Sequence, residues 1–260
     1  MYIDNGMFRF GGLTRGVKFL LISFISVYFL QLLMPARLEQ QFIDLFGLNV
    51  EGIRHGWLWQ FITYAFLHGS LFHVLMNSLG LFFLGPEIER HLGLRPFLSL
   101  MLFCAVLGGV GWFGLTFPYS GICVGASGAI FGLIGAFAGL FPTRQITLLI
   151  FFVLPVTMPA WLMASLFGLL QLAYLLNPGP SGIAYAAHLA GGIAGFLYIR
   201  VMYRGYDGQY TGFNLSKISR IIDPQPTEQE IDAILDKISR DGIHTLTAKE
   251  RALLQKARKK

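Results

Sequence analysis

Apolar residues run along this chain in long blocks separated by short polar breaks. A helix needs about 20 apolar residues to cross a bilayer. Blocks of that kind cover 17–34, 71–88, 96–117, 127–141, 146–176 and 184–202. The fifth is too long for one straight span, and its Pro155 and Pro159 break a helix by removing backbone donors. It divides into an interfacial or re-entrant piece over 144–157 and a helix from about 160 to 176. The first block has Arg15 and Lys18 near its start, as a secretory signal would. Five more spans follow and no clear small-x-small cleavage site is present, so it reads as an uncleaved helix.

Composition agrees with that pattern. The 260 residues are 54% hydrophobic and only 13% charged, against about 25% charged in soluble domains. The fold class is therefore an all-α membrane protein with six transmembrane helices. The net charge of +6 does not indicate nucleic acid. Most of the basic residues lie from Arg200 onward and are not interleaved along a polar face. Cys104 and Cys123 are too few for a disulfide framework, and Cys104 sits mid-span, where it packs.

Basic residues also orient the spans. Arg9, Arg15, Lys18, Arg90, Arg95, Arg144, Arg200 and Arg204 fall on one side. The other side has Arg37 and Arg54, in a connection that also carries Glu39, Asp44 and Glu51. Both termini are then cytoplasmic in a multi-pass protein of the cell (inner) membrane. The connection 35–70 is external, with Trp57, Trp59 and Phe61 suited to an element lying on the membrane surface.

After Tyr206 the composition changes. Residues 205–226 read as a linker and 227–260 as a small cytoplasmic two-helix tail, leaving 1–204 as the membrane domain. Capping boxes open at Thr227 and Thr247, and Ile231, Ile234, Leu235 and Ile238 form a helical stripe that Gly242 ends. Such a tail reads as a solvated or membrane-surface appendage that does no chemistry.

Polar residues inside spans are costly and need a reason. With a rise of about 1.5 Å per residue, Ser127 lies roughly 21 Å from the cytoplasmic end of its span, His188 roughly 18 Å, Asn77 roughly 20 Å and His73 roughly 26 Å. They come from three spans and share one level in the outer half of a core about 30 Å thick. The fourth span is short, so the loop before Ser127 dips below the surface, which irregular backbone tolerates only inside protein or along a wet cavity. Ser127 then starts a helix, whose free N–H groups favour developing negative charge. Gly125 and Gly128 flank it in Gly125-Ala126-Ser127-Gly128, and Gly191 and Gly195 follow His188 at GxxxG spacing. Small residues on both helices let spans four and six touch backbone to backbone. That contact would bring imidazole to hydroxyl, the geometry of a nucleophile and its base.

His73 and Asn77 share one helix face and, with the Ser127 N–H, could form an oxyanion hole. His68 ties the external connection to the start of the second span, and Glu89 accepts from loop N–H groups far from the serine. No aspartate lies at the level of the serine, so the chemistry read from the residues is a Ser127–His188 dyad. Two other readings use the same residues: a silent membrane-segment binder, and a transporter moving protons or metal on His68, His73 and His188. The histidine spacing is not the His-Glu-x-x-His zinc arrangement.

Taken in order, these motifs resemble the rhomboid family of intramembrane serine proteases over roughly residues 15–204. Gly-x-Ser-Gly matches at Gly125–Gly128, Ala-His-x-x-Gly-x-x-x-Gly at Ala187-His188, Gly191 and Gly195, and His-x-x-x-Asn at His73 and Asn77. His68 fits an upstream histidine of the family, and Gly85-x-x-x-Glu89-x-x-x-Gly93 its motif after the second helix. The resemblance implies a six-helix rhomboid core, Ser127 as nucleophile, His188 as base, and His73, Asn77 and the Ser127 N–H as oxyanion donors. It implies membrane-spanning protein substrates cut near the outer surface, and neither metal nor cofactor. Three positions depart from the family pattern: Gln60 follows Trp59 in place of arginine, Phe131 replaces a tyrosine, and the fourth-to-fifth connection is long and proline-rich.

Overall fold

A computed structural model describes residues 12–117, 121–150, 153–177, 184–203, 228–242, 245–247 and 250. The chain divides into two compact units, 1–204 and 205–260.

In the first unit, α1 (Arg15–Leu33) leads to the amphipathic α2 (Ala36–Phe46), the short strand β1 (Leu48–Asn49), α3 (Val50–Arg54) and α4 (Gln60–Thr63). A single 3-10 turn at Tyr64–Phe66 precedes α5 (Leu71–Leu92) and α6 (Leu94–Thr116). Then come β2 (Ile122–Cys123), α7 (Ser127–Leu140), β3 (Gln145–Ile150), β4 (Leu154–Pro159), α8 (Ala160–Leu176) and α9 (Tyr185–Met202). Among the described residues, α1, α5 and most of α6 are long and apolar enough to cross a membrane, while α7 and α8 are apolar but shorter. Phe19, Ile22, Phe29, Leu71, Phe72 and Leu169 point outward, so the bundle carries apolar side chains on its rim as well as in its core. That distribution suits a lipid surround.

The bundle is built around α7, which is buried along most of its length. Its packing against α9 uses glycine on both sides. A side chain at Gly191 would overlap the Gly128 carbonyl, and one at Gly195 would overlap the Gly132 carbonyl. Hydrophobic burial gives little drive between helices in lipid, so close backbone approach supplies the van der Waals contact instead. α5 and α1 are joined by Glu89, whose carboxylate accepts from Gly16 N at 2.8 Å, from Val17 N at 3.0 Å and from the Thr14 hydroxyl. Glu89 thus serves the free donors of the first turn of α1.

The connection between α1 and α5 is tied down by buried amides. Gln60 is fully buried; its Oε1 accepts from Asn49 N at 3.1 Å and its Nε2 donates to Asp44 O at 3.0 Å. Trp59 Nε1 donates to Leu45 O at 3.0 Å. Gln60 therefore binds the loop's own backbone at the position where the family pattern has arginine. The Trp57 and Trp59 rings stack 5.7 Å apart. β1 pairs antiparallel with β2, with Leu48 opposite Cys123, which fastens this connection to the loop before Ser127.

The segment expected to be an interfacial or re-entrant piece is an antiparallel hairpin, β3 with β4. Proline at 155 and 159 lacks the donor a helix needs, and β-branched residues at 146, 147, 156 and 157 favour extended backbone. Thr147 and Thr157 hydroxyls meet at 2.8 Å across it.

In the second unit, α10 (Glu228–Asp241) buries Ile234 and leaves Leu235 exposed. Gly242 ends it at φ 87, where its N–H bonds the Ile238 carbonyl at 2.9 Å. Thr247 and Glu250 form a reciprocal capping box. The expected linker, the Thr227 box and the body of the second tail helix lie outside the described residues.

The α7–α9 contact has a direct test. Gly191→Val should lower stability by on the order of 3 kcal/mol or more, because backbone cannot yield to the added carbons. Gly168→Ala, on α8 with open space around it, should leave the thermal midpoint in detergent unchanged or slightly raised. Equal midpoints for both variants would remove the contact from its structural role.

Candidate functional site

Ser127 is the first residue of α7, and its placement follows from the residues before it. Gly125 has φ 112, a left-handed conformation that L side chains rarely adopt. Its N–H donates to Tyr64 O at 2.8 Å, and the Tyr64 hydroxyl donates to Ala105 O at 2.7 Å. The turn is thus fixed to α6 through one buried tyrosine. Ala126 follows, and its carbonyl accepts the first bond of the helix from Ile130 N at 3.0 Å.

His188 lies in the first turn of α9 and is buried. Its Nε2 is 2.8 Å from Ser127 Oγ, across the glycine contact of α7 with α9. Its imidazole stacks on Phe131 with centroids 4.4 Å apart and planes 6° from parallel. Phe131 stands one turn after Ser127 and fixes the ring plane without a hydroxyl. The other ring nitrogen, Nδ1, is 2.8 Å from Oε1 of Gln171 on α8.

On the other side of the loop, α5 supplies two donors. A Cβ placed on Gly125 would come within 2.5 Å of His73 Nε2 and 3.5 Å of Asn77 Nδ2. Both side chains therefore converge on the turn that precedes Ser127, and glycine is the residue that leaves them room. Asn77 is buried, and its Nδ2 has no hydrogen-bond partner among the described residues. A buried donor left unpaired costs about 1–3 kcal/mol, and this one lies beside the turn that precedes Ser127. The side chain of Ser70 accepts from His73 N at 3.1 Å and caps α5, fixing the helix start.

His68 supports this side of the site. Its N–H donates to Gln31 Oε1 at 3.0 Å, its carbonyl accepts from Gln31 Nε2 at 3.3 Å, and its ring lies edge-on to His73 at 5.1 Å. Burial, and next the neighbouring His73, push the His68 imidazole down to about 4. Glu89 lies at the far end of α5, bonded to α1 rather than to Ser127.

The structure therefore brings Ser127, His188, His73 and Asn77 together around the turn at Gly125, with Gly128, Gly191 and Gly195 setting the helix separation. Sequence reasoning missed Gln171. It belongs to no motif; its signal was a lone amide in the apolar stretch that forms Ala160–Leu176. Gln31 was legible only as an isolated polar residue, and Gln60 only as a departure from the family's arginine. Among the described residues no group of three or more His, Cys, Asp or Glu side chains could hold a metal ion. An apolar cleft of about 480 Å³ between α7, α8 and α9 borders His188 and Gln171.

Comparison with known proteins identifies this architecture. The Rhomboid domain family matches residues 55–205, more than half of the 260-residue chain. The chain belongs to the rhomboid family and is a multi-pass membrane protein with an all-α rhomboid core. Residues 225–260 match a family of unknown function, DUF6576. Similar proteins include the putative rhomboid protease YdcA of Bacillus subtilis, 40% identical over 91 residues, 35% of this chain and 45% of that one. Rhomboid protein 1, mitochondrial, of Saccharomyces cerevisiae is 37% identical over 140 residues, covering 52% of this chain and 39% of its own. Rhomboid protease GlpG of Yersinia pestis is 33% identical over 144 residues, 54% and 46% respectively. The chain spans less than half the length of each of these relatives.

His68 gives a pH signature. Its folded pKa lies below the 6.5 of the unfolded chain, so the unfolded state takes up the extra proton first. The stability it contributes is complete above pH 6.5 and is lost as pH falls toward 4. His68→Gln should flatten the fall of the thermal midpoint over that window, and an unchanged slope would place the acid sensitivity elsewhere.

Proposed function

We propose that this rhomboid protein is an active intramembrane serine endopeptidase that hydrolyses peptide bonds in or next to membrane-spanning segments of other proteins. The observation that carries this reading is the 2.8 Å contact between Ser127 Oγ and His188 Nε2. The protease names of its relatives support it.

In this mechanism His188 Nε2 takes the Ser127 proton as Oγ attacks the scissile carbonyl. The oxyanion that forms is held by Asn77 Nδ2, by His73 and by the Ser127 N–H, with the positive end of α7 adding to the field. The unpaired Asn77 donor fits this role, since it gains a partner as charge develops on the oxygen. His188 then returns its proton to the leaving amine. Water enters from the outer side and, activated by the same imidazole, releases the acyl group and restores Ser127. No metal or cofactor takes part. A substrate helix hides its carbonyls, so it must unwind to reach Oγ; strand addition along the loop before Ser127 would present it extended.

The domain assignment follows the same reading. Residues 1–204 carry the protease in the cell membrane with both termini cytoplasmic, and 205–226 link it to a tail at 227–260 that does no chemistry. The alternative is a catalytically silent member that binds membrane segments.

A fluorophosphonate probe should label the purified protein at Ser127 and leave Ser127→Ala unlabelled; labelling that survives the substitution contradicts the assignment. Asn77→Ala should slow substrate cleavage by about 10²-fold while the fold, read from the thermal midpoint, persists. Failure of the folded native protein to label or to cut co-reconstituted substrates would favour the silent reading.

A further inference from the structure

The second nitrogen of His188 points to a third member of the site. A neutral imidazole has one N–H, and the nitrogen that carries it cannot accept the serine proton. Which nitrogen that is depends on the partner at the other one. Gln171 Oε1 stands 2.8 Å from Nδ1, and an amide oxygen can only accept. Both side chains are buried, so solvent competes poorly for either.

We propose that Gln171 is a positioning residue that holds His188 in the Nδ1–H tautomer and so keeps the Nε2 lone pair directed at Ser127 Oγ. The reacting pair is still Ser127 and His188, with Gln171 holding the base in place from behind. This proposal rests on the serine-endopeptidase reading above and deepens it.

Three restraints then fix one imidazole. Phe131 sets its plane by stacking, Gln171 sets its tautomer and rotation, and the α7–α9 contact sets its distance from Oγ. They come from different helices, since Phe131 is on α7 and Gln171 on α8. The amide differs from a carboxylate in carrying no charge. It orients the base and accepts its N–H, but it lends little to the imidazolium formed during attack. Gln171 also places part of the geometry of the base on α8, so movement of that helix away from α9 would release the ring. The cleft between α7, α8 and α9 leaves space beside the pair on its open flank.

The test uses the full-length protein, ¹⁵N-labelled at histidine, with His188→Asn to identify the His188 resonances. The native protein should show Nδ1 protonated and Nε2 bare. A bare Nδ1 would overturn the proposal, whatever the variants do. In kinetics, Gln171→Met should lower kcat about 10- to 100-fold with KM within about twofold, the pattern of a misplaced base with substrate binding intact. Gln171→Glu, which keeps an acceptor at that place, should recover most of the rate. A folded Gln171→Met with native kcat would overturn the proposal, as would equal losses in folded Met and Glu variants. The tautomer is read without turnover, so failure of serine labelling would reject the protease reading while leaving the Gln171 contact judged on its own.

Discussion

Close approach of α7 and α9 is the constraint on which the rest of this structure depends. Lipid offers no hydrophobic reward for joining two helices, so the contact must come from packing of backbone on backbone. Gly128 and Gly132 on one helix, with Gly191 and Gly195 on the other, allow it. The same contact sets Ser127 Oγ at 2.8 Å from His188 Nε2. Packing and proposed chemistry therefore use the same glycines, and a change in one carries to the other.

Around that contact, buried polar groups tie the connecting loops to the helices. Tyr64 links the turn at Gly125 to α6, Gln60 closes the loop after α2 on itself, and Gln31 clasps the backbone of His68. Each satisfies backbone groups that could not be left unpaired away from water. Asn77 Nδ2 stands apart from these because it faces the serine turn with no partner among the described residues. An unsatisfied buried donor is a local cost, and placing it where negative charge is proposed to form gives that cost a use.

Much of the architecture was legible in the chain itself. Apolar block lengths located the helices, and the glycine spacing on two of them foretold backbone contact. The shared depth of Ser127, His188, His73 and Asn77 foretold their convergence, because helix rise converts residue number into height. Other features had no such period to follow. The segment at 144–157 has the apolar content of a membrane piece, and its pairing as a hairpin rests on two prolines and a register that appears only when the strands meet. Gln171 is one amide in an apolar helix, and its importance depends on α8 facing α9, which no spacing within α8 reveals. Gln60 looked like a lost arginine and is a buried loop anchor. For the two glutamines the signal was a single polar residue in apolar surroundings, which marks a site of pairing without naming the partner.

Whether this chain cuts a membrane-spanning protein is the central question. The measurement is mass spectrometry of new termini after co-reconstituting a single-span substrate in liposomes with either the native protein or Ser127→Ala. New termini near the outer end of the substrate's span are expected with the native protein and none with Ser127→Ala. The same termini with both proteins, or an intact substrate beside a folded native protein, would contradict the protease reading.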